Sequence, residues 1–331
     1  MISVVNKYSL KTVLWLFVFS TLVCCKKTEV APTIISPPYT MKSNPIWRTG
    51  DRIFLEGITG TFDDVSVKDP TIVNVDGKWH VFYTGRDATK WRMGYIAGKE
   101  LTDLKKADRN YMTSLNGGSY FCAPQVFQLK SKKTWYLIYQ SGLGATFSTN
   151  TDINSPQGWS AGKAMGFTDG IDFWCISDGT KIHCFYSAQD GSFTIKKRST
   201  LITDFPYKWS NPVVVATDTF EAPHVYKNKA DGKYYMMVED IRRYFEIWQA
   251  SSLDGTWTKL NEKWADYANL IETNEHWTDQ VSHGEILRSG IDEMCEIEDI
   301  NHCQVIFQGV VNGNYADYGI IPYDLGIMKN Y

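Results

Sequence analysis

The chain predicts an all-β fold, a five-bladed β-propeller, on three observations. A hairpin-like unit recurs five times, turn residues punctuate the chain every roughly 8 to 12 residues, and long helical periodicity is absent. The first unit sets the pattern. Lys68-Asp69-Pro70 precedes two short apolar strands joined at Asp76-Gly77, a strong hairpin signal. In the second, Ala123-Pro124-Gln125 leads to Trp135–Tyr139, and in the third Ile171-Asp172-Phe173-Trp174 leads through Asp178-Gly179 to Ile182–Tyr186. Glu221-Ala222-Pro223 leads through Asp231-Gly232 to Tyr234–Val238 in the fourth, and Ser282-His283-Gly284-Glu285 leads to Val305–Gln308 in the fifth. The second strands recur every roughly 45 to 70 residues, near a propeller's blade period.

Each unit places one polar residue at the head of its first strand: Asp69, Gln125, Asp172, Glu221 and His283. With the first strand of each blade along the central channel, these five converge on one axis. Outer strands are expected at Trp91–Ile96, Ala145–Thr149, Phe193–Lys196 and Phe245–Ala250. Leu325–Met328 is expected to close the ring against residues near Arg52–Leu55, and Lys99–Arg109 to be a surface loop or one helical turn.

The N-terminus lies outside this pattern. Lys7 and Lys11 precede the apolar run Thr12–Val23, which is too short to span a membrane. It ends in Leu22-Val23-Cys24-Cys25-Lys26-Lys27 and resembles a bacterial lipoprotein signal with Cys25 as the lipidated residue; the alternative is an ordinary secretory signal. The expected organisation is a signal over 1–25, a polar tether over 26–47 and one propeller domain over 48–331. The protein is then exported and membrane-anchored, at the periplasm or cell surface, and a monomer is expected.

Formal net charge is −3 with both signs mixed, which excludes the clustered basic face that nucleic acid requires. Aromatics reach 14 %, enough to fill a β core and also to offer flat faces to sugars. Beyond the signal, five cysteines remain. Cys295 and Cys303 flank an insertion and are the expected disulfide; Cys122, Cys175 and Cys184 are expected as small buried hydrophobes.

Three of the converging residues are carboxylic acids, and a glycosidic bond is cleaved by two carboxyl groups in different protonation states. Asp69 beside Lys68 is expected ionised and suits a base that activates water. Glu221 between Phe220 and Ala222-Pro223 is expected to hold its proton and suits a general acid. Asp172 is placed to orient that acid and repel its charge. His283 at the axis offers an imidazole nitrogen to a cation, and oxygen-rich ligation with waters favours Ca²⁺.

Several longer runs carry a resemblance. Lys68-Asp69-Pro70-Thr71, Tyr120–Phe127, Trp135–Gln140, Ile171–Trp174, Phe220-Glu221-Ala222, Arg242–Phe245, Ser252–Trp257 and Ser282–Glu285 resemble glycoside hydrolase family 62, the α-L-arabinofuranosidases acting on arabinoxylan. That resemblance covers residue 48 to the C-terminus. It implies a five-bladed propeller, inversion at the anomeric centre, and carboxyl groups ~6.5–9.5 Å apart. It also implies Asp69 as base, Glu221 as acid and Asp172 as the residue tuning the acid. Lys68, Gln125, Ile171, Arg243 and Tyr318 become sugar contacts, and His283 the neighbour of a central calcium ion. The segment between Cys295 and Cys303 departs from the pattern, as does Asp324, where a basic residue is expected. The rival readings are a family 43-like β-xylosidase or arabinan hydrolase, and a non-catalytic surface glycan-binding propeller.

Overall fold

Each hairpin unit grows into one blade of a five-bladed β-propeller. The structure, a computed structural model, describes residues 39–115 and 120–331. The signal, Cys25 and the first part of the tether lie outside the described residues. Blade 1 runs Ser66–Val75, Lys78–Arg86, Trp91–Gly98 and Asn110–Tyr111, each strand antiparallel to the last. Blade 2 runs Phe121–Leu129, Thr134–Ser141, Gly144–Asn150 and Lys163–Ala164, and blade 3 runs Gly170–Ser177, Lys181–Ala188, Thr194–Leu201 and Val213–Thr217. Blade 4 runs Glu221–Asn228, Tyr234–Glu239, Phe245–Ala250 and Thr258–Ala265. Among the described residues the helical elements are short 3₁₀ turns, Leu101–Lys106 among them.

Blade 5 takes strands from both ends of the chain. From the axis outward the order is Ser282–Ile286, Gln304–Gly309, Asp324–Lys329, Trp47–Thr49 and Leu270–Glu272, the last pair parallel. The expected closure near Arg52–Leu55 is therefore shifted: Arg48 and Thr49 carry the ladder, and Phe54 adds one bridge to Leu325. Residues 39–47 are not a free tether. Trp47 is fully buried and its indole N–H donates to Trp264 O, while Tyr39 and Met41 pack on the core. Asp324 draws its basic partner from elsewhere, accepting from Arg52 at 2.7 Å and from the Glu56 backbone N–H at 3.0 Å.

The aromatic residues fill the spaces between blades. Phe82, Tyr95, Tyr139 and Trp159 pack between blades 1 and 2, and Phe127, Tyr136, Phe173 and Phe205 between blades 2 and 3. Burial at this scale is the main stabilising term of the fold.

The segment after Ile286 straps the channel end where the inner strands finish. Ile291 O, Glu293 O, Cys295 O and Ile297 O accept in turn from Gln128, Ser177, Lys227 and Lys229 N–H, at 2.8, 2.7, 3.2 and 2.9 Å. Carbonyls of one segment, which turns at Cys295, thus tie blades 2, 3 and 4 together. Arg288, at the start of the strap, reaches into the axis: Nε donates to Glu285 at 2.7 Å and Nη2 to Val126 O at 2.8 Å and Ile72 O at 3.2 Å. The expected Cys295–Cys303 disulfide is absent. Cys295 turns inward, its thiol on Cys175 O, and Cys303 bonds Ile300 O, so both are free thiols.

Candidate active site

A β-bulge recurs near the head of every inner strand, and it builds the site. The ladder shifts register between Lys68 and Thr71, Cys122 and Gln125, Ile171 and Trp174, Glu221 and His224, and Ser282 and Gly284. In four blades the bulge holds a non-glycine residue in the left-handed region: Asp69 (φ 48°), Ala123 (φ 50°), Asp172 (φ 56°) and Ala222 (φ 57°). Bulges re-aim side chains, and strained backbone of this kind clusters at functional sites.

The strain is held by a latch between blades. The bulge N–H is accepted by a polar side chain near the end of the second strand of the preceding blade. Asp69 N donates to Gln308 Oε1 (2.8 Å), Ala123 N to Thr84 Oγ1 (2.9 Å), Ala222 N to Ser187 Oγ (3.1 Å) and His283 N to Glu239 Oε2 (2.8 Å). Gln140 holds the matching position in blade 2, opposite Cys122, and donates to Tyr120 Oη instead.

This register corrects two sequence expectations. Glu221 is not equivalent to Asp69 and Asp172; it precedes the left-handed residue and matches Lys68, Cys122 and Ile171. Gln125 follows its bulge by two residues and turns away from the site. It is fully buried, and its amide donates to Cys175 O and accepts from Cys175 N, both at 2.7 Å. Gln125 therefore joins blades 2 and 3 and is not part of the cavity wall. Replacing it by alanine removes the acceptor of Cys175 N–H and leaves Cys175 O only the weak Cys295 thiol, and should cost about 1–3 kcal/mol. Urea unfolding would read that loss, with substrate affinity unchanged.

The other expected residues meet in one cavity of about 650 Å³ at the open end of the channel. Lys68, Asp69, Ile171, Asp172, Glu221, Arg243, His283 and Tyr318 all line it. Trp91, Arg86, Tyr120, Gln140 and Phe220 complete the wall, and so does Cys122, which is half-buried rather than a core residue.

Charge is partitioned across the cavity. On one side Lys68 Nζ lies 3.4 Å from Asp69 Oδ1 and also donates to Tyr318 Oη. Its ammonium sits between the rings of Trp91 and Tyr318, 4.8 and 4.4 Å from their centroids. Burial opposes its charge, but Asp69 and Tyr318 outweigh burial and raise the Lys68 pKa well above the ordinary lysine value. On the other side the Glu221 side chain is 18 % exposed, open to a ligand. Burial first and then the Glu239 carboxylate push Glu221 up to about 7, against Arg243 and Lys68. Asp172 is also raised well above the usual range, by burial and by Glu221. Its Oδ2 accepts from Ala222 N at 3.2 Å, which fixes the backbone beside Glu221.

His283 is buried, with Nδ1 3.3 Å from Asp69 Oδ1 and the His224 ring edge-on at 5.2 Å. Burial lowers its pKa. A neutral imidazole that directs one nitrogen at a carboxylate leaves the other free for a cation. Among the described residues, the one converging set of three or more His, Cys, Asp or Glu is Asp178, His183 and Asp254, and it does not include His283. The Lys197 and Lys181 ammonium groups already sit on Asp254, at 2.5 and 3.0 Å. The side chains at His283 thus fit an ion that keeps most of its water, not an all-protein calcium cage.

Residues 60–329 match the model of glycosyl hydrolase family 62. The chain belongs to this family. Alpha-L-arabinofuranosidase C of Cellvibrio japonicus is 34 % identical over 285 residues, 80 % of this chain; the chain spans 44 % of that relative's length. The α-L-arabinofuranosidase of Podospora anserina, solved with cellotriose, superposes with a TM-score of 0.81 at 31 % identity, covering 87 % of this chain and 98 % of that one. A family 62 hydrolase solved with xylotriose gives 0.79 at 27 % identity over the same shares. Over most of its length the chain is thus related to α-L-arabinofuranosidases of family 62.

Proposed function

We propose that the protein removes single α-L-arabinofuranosyl side chains from arabinoxylan with inversion. The observation that carries this reading is the partition within one cavity: Asp69 beside a lysine, and Glu221 held as an acid up to about 7. Asp69 takes a proton from a water that attacks the anomeric carbon. Glu221 delivers its proton to the departing glycosidic oxygen. Asp172, bonded to Ala222 N–H, keeps Glu221 in place. Lys68, Ile171, Arg243 and Tyr318 contact the sugar, and the Trp91 face adds an apolar wall. The xylotriose complex of a family relative supports a xylan-like polymer outside the cavity.

Calcium belongs to the same proposal. His283 would hold it with water as the remaining ligands, and the ion would supply fixed positive charge beside the cavity. Export and lipidation at Cys25 would bring a monomeric enzyme to extracellular polysaccharide.

Incubation with arabinoxylan, linear arabinan and xylo-oligosaccharides, followed by NMR, tests the reading. Free arabinose from arabinoxylan alone, appearing first as the β anomer, is the expected result. Xylose release or arabinan cleavage favours family 43-like chemistry, and binding without release favours a glycan-binding propeller. Each of these would overturn it.

A further inference from the structure

A second hollow, of about 390 Å³, lies beside the cavity at the same end of the channel, between blades 4 and 5. Its size is that of a small-ligand pocket. Three segments meet there. Residues 241–243 follow the second strand of blade 4, Asp279 and Gln280 stand just before the inner strand of blade 5, and residues 312–314 follow that blade's second strand. Arg243 lines both hollows. Its guanidinium lies 5.8 Å from the Tyr318 ring centroid on the cavity side, and the ring of Tyr323, on the wall of the second hollow, is 6.4 Å from that of Tyr318. The two spaces therefore share a wall of side chains.

The lining suits a neutral, hydroxyl-rich ligand. The side-chain amides of Gln280, Asn312 and Asn314 have no hydrogen-bond partner among the described residues, and each offers donors and an acceptor. Asp279 Oδ2 accepts from Asn312 N–H at 2.8 Å, and its other oxygen takes no donor from the described residues. The cations are already matched: Arg242 Nε donates to Asp240 at 2.8 Å, and Arg243 pairs with Glu239 and Glu221. With the arginines paired and Asp279 on the wall, an anionic ligand meets net repulsion. Two backbone features make room for the amides. Asn312 stands at φ 56°, a conformation asparagine tolerates, and Gly313 leaves free the space that the Gln280 amide occupies, since a Cβ there would stand 2.1 Å from Nε2.

We infer that this hollow is a second carbohydrate subsite, which takes a neutral sugar of the polymer adjoining the arabinosyl unit in the cavity through the Gln280 and Asn312 amides and Asp279. The inference rests on the cavity being the arabinose site of the proposed function. Two sugars of the polymer have this chemistry: a second branch on the same xylose, and the neighbouring backbone xylose. A substrate that fills both hollows gains contacts that a lone arabinoside cannot make. The subsite therefore acts on which polymer is held rather than on the breaking of the bond.

The test compares kcat and KM of the full-length wild type with those of the double variant Gln280→Ala, Asn312→Gly on three substrates. Glycine keeps the backbone freedom that the positive φ requires. An aryl arabinofuranoside fills the cavity alone, a xylo-oligosaccharide with one arabinosyl branch adds the backbone, and one with two branches on a single xylose adds the second branch. On one or both oligosaccharides the variant should lose about tenfold in kcat/KM, the scale of two neutral hydrogen bonds, through KM and not kcat. The aryl arabinofuranoside should lose much less. Gly313→Ala, which displaces the Gln280 amide without removing it, should give the same pattern. Loss on the doubly branched substrate alone assigns the hollow to the branch, and loss on both oligosaccharides assigns it to the backbone. Wild-type kinetics on both oligosaccharides, or one equal loss on all three substrates, would overturn the inference. Failure of the underlying reading looks different: wild type would then release arabinose from none of the three, and the subsite would fall with it.

Discussion

Glu221→Gln should release arabinose from arabinoxylan at least ~10²-fold more slowly than wild type, with the fold intact. The amide keeps the size and the Arg243 neighbour but has no acidic proton for the leaving oxygen. The loss should be far smaller on an aryl arabinofuranoside, where the leaving group needs little protonation. In wild type, activity should decline as pH rises through about 7, because Glu221 is the group that must hold a proton there. Substitution of Glu221 should abolish that limb. Steady-state kinetics on both substrates across pH check all three points, and an undiminished rate on the polymer would remove Glu221 from the mechanism.

Arg288→Met should destabilise the protein by about 3–5 kcal/mol, the usual cost of leaving one partner of a buried ion pair alone. Glu285 is fully buried and accepts from Arg288, from the Thr71 hydroxyl at 2.5 Å and from Ile72 N–H at 3.3 Å. Without the guanidinium, its charge has no cation at the axis, and the Ile72 and Val126 carbonyls lose their donor. Because the pair joins blades 5, 1 and 2, the loss falls on the ring as a whole. A double variant, Arg288→Met with Glu285→Gln, should recover part of the stability, since removing both charges removes the desolvation penalty as well. Denaturant unfolding of wild type, the two single variants and the double variant measures the coupling directly, and equal stability of wild type and Arg288→Met would contradict it.

The blade count was legible because an Asp-Gly or lysine-rich turn between apolar runs is a local signal, repeated at a steady spacing. The cavity residues were legible for the same reason: each sits at a fixed distance before such a hairpin. What misled was the assumption that equal distance means equal position. A bulge inserts an extra residue, and one or two residues of slip separate Glu221, which reaches the cavity, from Gln125, which does not. A second repeat was present in the sequence and went unused. Tyr83-Thr84, Tyr139-Gln140, Tyr186-Ser187, Val238-Glu239 and Phe307-Gln308 each place a polar residue after a large apolar one near the end of a second strand. In four blades that residue is the acceptor of the latch, and Glu239 is among them. The expected disulfide failed for a different reason. Proximity in sequence brought Cys295 and Cys303 together on paper, but Cys295 sits in a turn at φ 48° with its thiol on Cys175 O, while Cys303 bonds Ile300 O.

The fifth blade has a consequence for the order in which the molecule can be made. Arg48 and Thr49 find ladder partners at Lys329 and Met328, almost the whole domain away along the chain. Four blades can form while synthesis proceeds, and Trp47–Thr49 can meet Leu270–Glu272 along one edge, but its other edge waits for a strand translated later still. Closure is therefore a late, long-range event, and a protein truncated before Asp324 would keep its first four sheets and lose the seam that locks them into a circle.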